Sequence, residues 1–146
     1  MSKIHRSIVY HIIFSTKGRQ PFLQNEELRK QVYHFIWNKC KRYGYFLHRI
    51  GGVEDHIHLL IYIPPSVSVS EAVGKLKGSS SYFVNQELAG EGILYWQRGY
   101  GVLTVSEEKI QTVIDYIKNQ EEHHKQGTIW ADFEEMNIGN DTSQNR

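Results

Sequence analysis

His56-Ile57-His58-Leu59-Leu60-Ile61-Tyr62-Ile63 is the segment from which the fold can be read. Side chains of a strand alternate between its two faces. Ile57, Leu59, Ile61 and Ile63 therefore share one face, and that face is entirely apolar. It belongs against the helices, in the core. His56 and His58 then stand side by side on the opposite face, together with Leu60 and Tyr62. Two imidazoles one strand repeat apart can both reach a single metal ion. Taken alone, a His-x-His pair in a strand is more often structural, and it supplies only two ligands.

The neighbouring segments extend this strand into a fold. Before it, Tyr45–Val53 reads as a strand ended by the Gly51-Gly52 pair, with a short turn at Glu54-Asp55. After it, Pro64-Pro65 closes the run. Ser7–Thr16 is β-branched and aromatic and reads as a central strand, bounded by Lys17-Gly18-Arg19-Gln20-Pro21. Asn25 is placed to cap a helix over Glu26–Tyr43, whose Leu28, Val32, Phe35, Ile36 and Tyr43 fall near a 3.6-residue period; Gly44 is its stop. Ser68 and Glu71 fit a capping box for a helix beginning at Val69, with an apolar stripe through Val73, Leu76, Phe83 and Leu88. Ile93–Trp96 and Gly101–Val105 are short strand candidates. Ser106 is placed to cap a last helix, with Glu107 and Glu108 at its positive end and Ile110, Val113, Ile114 and Ile117 as its buried stripe. The order β-α-β-β-α-β, then a helix, predicts an α+β protein. Its fold would be a ferredoxin-like split βαβ sandwich, an antiparallel sheet with helices on one face, followed by an additional C-terminal helix.

Length and composition agree with one soluble domain. The chain has 146 residues, 40% hydrophobic and 23% charged, with neither an internal repeat nor a dividing linker. A single domain over 1–146 is expected, with its core over about 5–125 and a tail over about 127–146. Cys40 is the one cysteine, so an internal disulfide and a Cys-x-x-Cys metal site are excluded, which suits a reducing cytoplasm. The longest apolar run, near Leu59–Pro65, is far short of the ~20 residues a bilayer requires, and no signal peptide is read at the start. A cytoplasmic protein without a membrane partner is expected. The net charge of +1 conceals an asymmetry: residues 1–50 carry +8, residues 51–105 carry −2 and residues 106–146 carry −5. A basic first third interleaved with aromatic residues suits a phosphate-binding surface, though a solvated helix face is the commoner explanation of such charge.

The last helix holds a second candidate pair. Tyr116 and Gln120 lie one turn apart, about 40° from each other around the helix, at the edge of its apolar stripe. Read separately, Tyr116 is a boundary packing residue with a wet hydroxyl and Gln120 a surface residue. Read with His56 and His58, they describe a reaction centre. A phenolic oxygen, of reference pKa about 10, is a usable nucleophile when its anion is stabilised. Two imidazole nitrogens and an amide oxygen can hold a divalent ion such as Mg²⁺ or Mn²⁺, with positions open for phosphate oxygens. A phosphotyrosine product would conserve the bond energy, so that a free 3′-hydroxyl could reverse the step without ATP.

At this point the chain resembles a known family, the single-tyrosine HUH transposases of small bacterial and archaeal insertion sequences (the IS200-like transposases), with relatives associated with repetitive extragenic palindromes. The His-apolar-His motif is matched by His56-Ile57-His58 within Asp55-His56-Ile57-His58-Leu59-Leu60, and the Tyr-x-x-x-Gln motif by Tyr116 and Gln120. Thr16-Lys17-x-Arg19, Val67-Ser68, Leu76-Lys77-Gly78-Ser79-Ser80 and Trp96-x-Arg98-Gly99-Tyr100 are also similar, so the likeness runs from about His5 to about Lys125. The resemblance implies cutting and rejoining of single-stranded DNA at element ends, recognition of subterminal hairpins, and a 5′-phosphotyrosine intermediate. It implies that Tyr116 attacks while His56, His58 and Gln120 hold the divalent metal. It further implies a homodimer whose sheets join edge to edge and whose tyrosine helix can complete the partner's site. Gly18 stands where many relatives have a bulkier residue, and an acidic tail is not expected to touch DNA. Both leave the detailed hairpin contacts open.

Other residues have two readings each. His11, in phase with Val9 and Ile13, faces either the side of His56 and His58 or the core, and the core reading is preferred. His123 and His124 are spare ligands or, preferably, partners of the helix dipole. Lys17 and Arg19, Lys75 and Lys77, and Arg98 are candidate DNA contacts; Lys75 and Lys77 equally fit a solvated helix face. Trp96 and Tyr100 suit stacking on unpaired bases, and Trp96 equally suits the core. Asp55 either orients an imidazole or simply makes the turn. For the whole chain, the alternatives to a transposase are a domesticated hairpin-binding protein of the same fold that does not cut, and a phosphodiesterase using activated water. A second His-x-Thr motif, which the latter would carry, is absent from the sequence.

Overall fold

The computed structural model describes residues 8–120. Their order is β1 (Val9–Ser15), α1 (Glu26–Tyr43), β2 (Phe46–Gly52), β3 (His56–Tyr62), α2 (Val69–Tyr82), β4 (Gly101–Val105) and α3 (Ile110–Lys118). The four strands form one sheet in the order β2-β3-β1-β4, with every neighbouring pair antiparallel. This is the α+β sandwich expected from the sequence. The second terminal segment read as a strand, Ile93–Trp96, is not one. Trp96 makes only a single bridge to Thr16, and the indole instead packs edge-on to Phe14 and donates to Ser80 Oγ at 2.9 Å.

The helix ends follow local chemistry. Asn25 Oδ1 accepts from the Leu28 amide at 2.9 Å, and Gly44 closes α1 in the left-handed region at φ 82°. Ser68 Oγ accepts from the Glu71 amide at 3.0 Å. After Tyr82, α2 widens into a π turn over Phe83–Glu87, where Phe83 stacks on Phe35 with ring centroids 4.4 Å apart. Ser106 does not cap α3 with its side chain as expected. A 3₁₀ turn over Glu107–Lys109 intervenes, and the helix begins at Ile110.

Two cores lie on the two faces of the sheet. Ile57, Leu59 and Ile61 of β3, with Ile63 just beyond it, pack with Ile12 and Phe14 of β1 under Val32 and Ile36 of α1 and Val73 and Leu76 of α2. The other face carries Val9, Leu60 and Val105, covered by Val113, Tyr116 and Ile117 of α3. The helices therefore do not all share one face: α3 crosses to the side of His56 and His58. Nine residues are too few for a helix to stand alone in water, so α3 holds its form by docking on this second face. Tyr116 is thus not an edge residue of α3 but part of its buried face, 2% exposed, and Gln120 beyond it is 1% exposed. His123 and His124 and the predicted tail lie outside the described residues. Among the described residues, no helix is long and apolar enough to cross a membrane.

Candidate active site

The register of the sheet assembles the site. On the face under α3, Ser15 lies opposite His56, Ile13 opposite His58 and His11 opposite Leu60. On the β2 side, Gly51 lies opposite His58 and Arg49 opposite Leu60. His11 therefore faces the same side as the histidine pair, against the preferred reading from sequence. The reason is phase: strand alternation puts His11 with Ile13, and the β1–β3 register puts Ile13 against His58. His11, His56 and His58 are all fully buried.

Each site histidine has its Nδ1 engaged. His56 Nδ1 lies 2.8 Å from Asp55 Oδ1, and Asp55 Oδ2 takes Arg19 Nε at 3.3 Å. Burial alone would push the Asp55 carboxyl up. The hydrogen bond and charge of His56, with the charge and hydrogen bond of Arg19, outweigh it and hold the carboxyl below its ordinary range. The Asp55 carboxylate can only accept, so the proton of this contact belongs to His56 Nδ1, and in the neutral form of the ring the lone pair is on Nε2. His58 Nδ1 lies 2.8 Å from His11 Nε2. If His58 is the donor, its lone pair also stands on Nε2. The Nε2 atoms of both histidines and Oε1 of Gln120 are buried polar atoms. Two imidazole nitrogens in their neutral form and one amide oxygen are donor types that suit a divalent ion, and partners on the far ring nitrogens are how metal-ligating histidines are commonly oriented. Among the described residues no group of three His, Cys, Asp or Glu side chains is arranged to hold a metal. His56 and His58 are the only two such residues in this donor set, since the third donor is the amide of Gln120 and His11 turns its Nε2 to His58.

Tyr116 is packed into this cluster. Its ring meets His58 edge-on with centroids 5.6 Å apart, and His11 at 6.4 Å; His56 and His58 are 5.1 Å apart. Tyr116 and His58 thus meet within one chain. Close docking of α3 depends on Gly51, where a Cβ would come within 2.8 Å of the Ile117 carbonyl oxygen. Gln120 lies one turn past Tyr116 and lines a cavity with Gly51 and Gly52.

A comparison with known proteins decides the family. The model of the family described as "Transposase IS200 like" matches residues 5–120. The chain belongs to the IS200-like transposase family. The transposase for insertion sequence element IS200 from Salmonella typhimurium is 37% identical over 125 residues, covering 81% of this chain and 80% of the relative. The ISDra2 transposase TnpA from Deinococcus radiodurans is 28% identical over 118 residues, covering 76% and 82%. A crystal structure of a putative transposase from Deinococcus radiodurans superposes with a TM-score of 0.58 at 28% identity, covering 82% of this chain and 98% of that one. The structure of a REP-associated tyrosine transposase bound to a REP hairpin matches with a TM-score of 0.59 over 88% of this chain and 76% of that one. At 14% identity this last likeness concerns the fold alone.

The candidate DNA contacts of this transposase do not converge on one place. Arg19 sits at the site, on Asp55. Lys17 is exposed on the adjoining turn, its amide donating to the Tyr95 carbonyl at 2.8 Å. Lys75 pairs with Glu71 along α2 at 3.4 Å and lies over the Tyr43 ring. Lys77 Nζ donates to the carbonyls of Gln97 and Gly99 at 2.6 and 2.8 Å, tying α2 to the turn before β4. Arg98 is exposed beside that turn. Sequence reasoning missed the support given by His11 and the glycine at 51. In-phase spacing with Ile13 was the available signal for the first.

Proposed function

We propose that this transposase cleaves and rejoins single-stranded DNA at insertion-sequence ends through a covalent 5′-phosphotyrosine on Tyr116. The observation that carries the reading is the packing of Tyr116 against His58 in a buried cluster where Asp55 engages Nδ1 of His56 and His11 engages Nδ1 of His58. Tyr116 Oη would attack the scissile phosphorus as its proton is lost. A Tyr–O–P bond forms, the P–O3′ bond breaks, and the 3′-oxygen leaves as a hydroxyl on taking up a proton. A 3′-hydroxyl from the same or another strand reverses the step, which gives excision and insertion with no external energy source. His56 Nε2, His58 Nε2 and Gln120 Oε1 would hold the divalent metal. When bound, Mg²⁺ or Mn²⁺ would supply polarisation of the phosphate and neutralisation of its developing charge. Asp55 and His11 hold the two imidazoles with their lone pairs toward the site, and α3 keeps water from the tyrosine ring until DNA arrives. The DNA partner would carry subterminal hairpins. The working form would be a homodimer, in which α3 could serve its own or its partner's histidines.

The test is a denaturing gel with labelled single-stranded DNA from both flanks of the gene, protein and Mn²⁺ or Mg²⁺. A protease-sensitive shifted band, lost in Tyr116→Phe and in His56→Ala, is expected. Cleavage that persists in Tyr116→Phe would favour activated water. Hairpin binding without cleavage by the native chain would make it a domesticated binder.

A further inference from the structure

A second feature adjoins the site at the open edge of β2. A cavity of about 480 Å³ lies where α1, β2 and the end of α3 meet. Among the described residues its charged walls are Arg29, Lys30, Arg49 and Lys118, with Glu26 as the one carboxylate. Tyr33 adds an aromatic wall, and Gln120 lines the same space. Gly51, which also lines it, is the cross-strand partner of His58. The cavity is therefore lined by β2, the strand that pairs directly with the histidine strand. Arg29 is anchored by Nη1 to the Leu23 carbonyl at 2.8 Å, which fixes its guanidinium at the cavity wall.

We propose that this cavity receives a nucleotide of the single strand beside the scissile phosphate, with its backbone phosphate held by the cationic walls. The proposal rests on the DNA-cleaving reading above. Volume and polarity suit one nucleotide. Among the described residues four basic side chains line the cavity against one carboxylate, a balance that favours an anion, and an aromatic wall gives a base a surface to stack on irrespective of its identity. Because the cavity shares Gln120 with the reaction centre, a nucleotide seated there would fix where along the strand the scissile phosphate lies.

Lys30 and Lys118 are exposed, so the double variant Lys30→Gln/Lys118→Gln keeps the fold. Binding is read by fluorescence anisotropy in a Tyr116→Phe background, over a range of salt. The probes are a labelled single-stranded oligonucleotide spanning the element end and the hairpin alone. The expected result is a loss of about tenfold in affinity for the spanning strand. Its dependence of log affinity on log salt should become shallower by about 0.7 per lost phosphate contact, with hairpin binding unchanged. A double variant that binds the spanning strand with the affinity and salt slope of its parent would overturn the proposal, as would an equal loss on the hairpin alone. If the native chain forms the Tyr116 adduct while the variant binds normally, the cavity proposal alone fails. If the native chain forms no adduct, the cleavage reading fails, and the salt slopes still decide the cavity. A parent protein that binds neither probe overturns both.

Discussion

His11 Nε2 lies 2.8 Å from His58 Nδ1, with both rings fully buried on the face of the sheet beneath α3. The pair links strands 47 residues apart in the chain, and with His58 as its donor Nε2 of His58 is the nitrogen the proposed metal would take. His11→Phe removes the partner while keeping the bulk. It should weaken divalent-metal affinity by about 10- to 100-fold. Metal titration by calorimetry checks this, with circular dichroism to confirm the fold.

Asp55 gives a pH-dependent prediction for the metal-free protein. Its folded pKa is depressed, so its stabilisation is fully present above the unfolded carboxylate value of about 3.9 and is lost as pH falls through the lower folded value. Asp55→Asn should therefore melt below the wild type at pH 7, with the difference shrinking in acid below about pH 4. Thermal unfolding at pH 7, 5 and 3 measures it.

Gly51→Ala sets a methyl group against the Ile117 backbone, only 2.8 Å from the carbonyl oxygen. The carbonyl belongs to a helix and cannot swing aside, so α3 must shift. A cost of about 1–3 kcal/mol in stability is expected. The rate of adduct formation should fall further than that of Gly44→Ala, because Tyr116 rides on α3 and Gln120 follows directly after it. Denaturant unfolding alongside single-turnover cleavage separates the two effects.

Cys40 is buried, and burial pushes its thiol up to about 12. It should resist a disulfide reagent at pH 8 in the native protein and react at once in denaturant. Since the folded value is the raised one, stability is unaffected below the unfolded thiol's pKa near 8.5 and declines as pH rises toward 12. Thiol titration with and without guanidinium reads the first effect.

What was legible in the sequence was what local periodicity controls. Alternation alone separates Ile57, Leu59 and Ile61 from His56 and His58, and the caps at Asn25 and Ser68 announce α1 and α2. What was not legible depends on pairing between distant segments. Gly51 reads as a strand terminator, but it lies inside β2, opposite His58, where Ile117 needs the space. His11 has no neighbour in sequence that reveals its face; the β1–β3 register does. Tyr116 looks marginal on a helical wheel because a wheel scores apolar neighbours along one helix, whereas this ring is buried against two histidines of the sheet.

The most direct measurement is mass spectrometry of the covalent product. After cleavage of single-stranded DNA in Mn²⁺ and digestion with nuclease and protease, the nucleotide mass should map by fragmentation to Tyr116 through a 5′-phosphodiester. A nucleotide on another residue, or cleaved DNA with a free 5′-phosphate and no labelled peptide, would contradict the tyrosine mechanism.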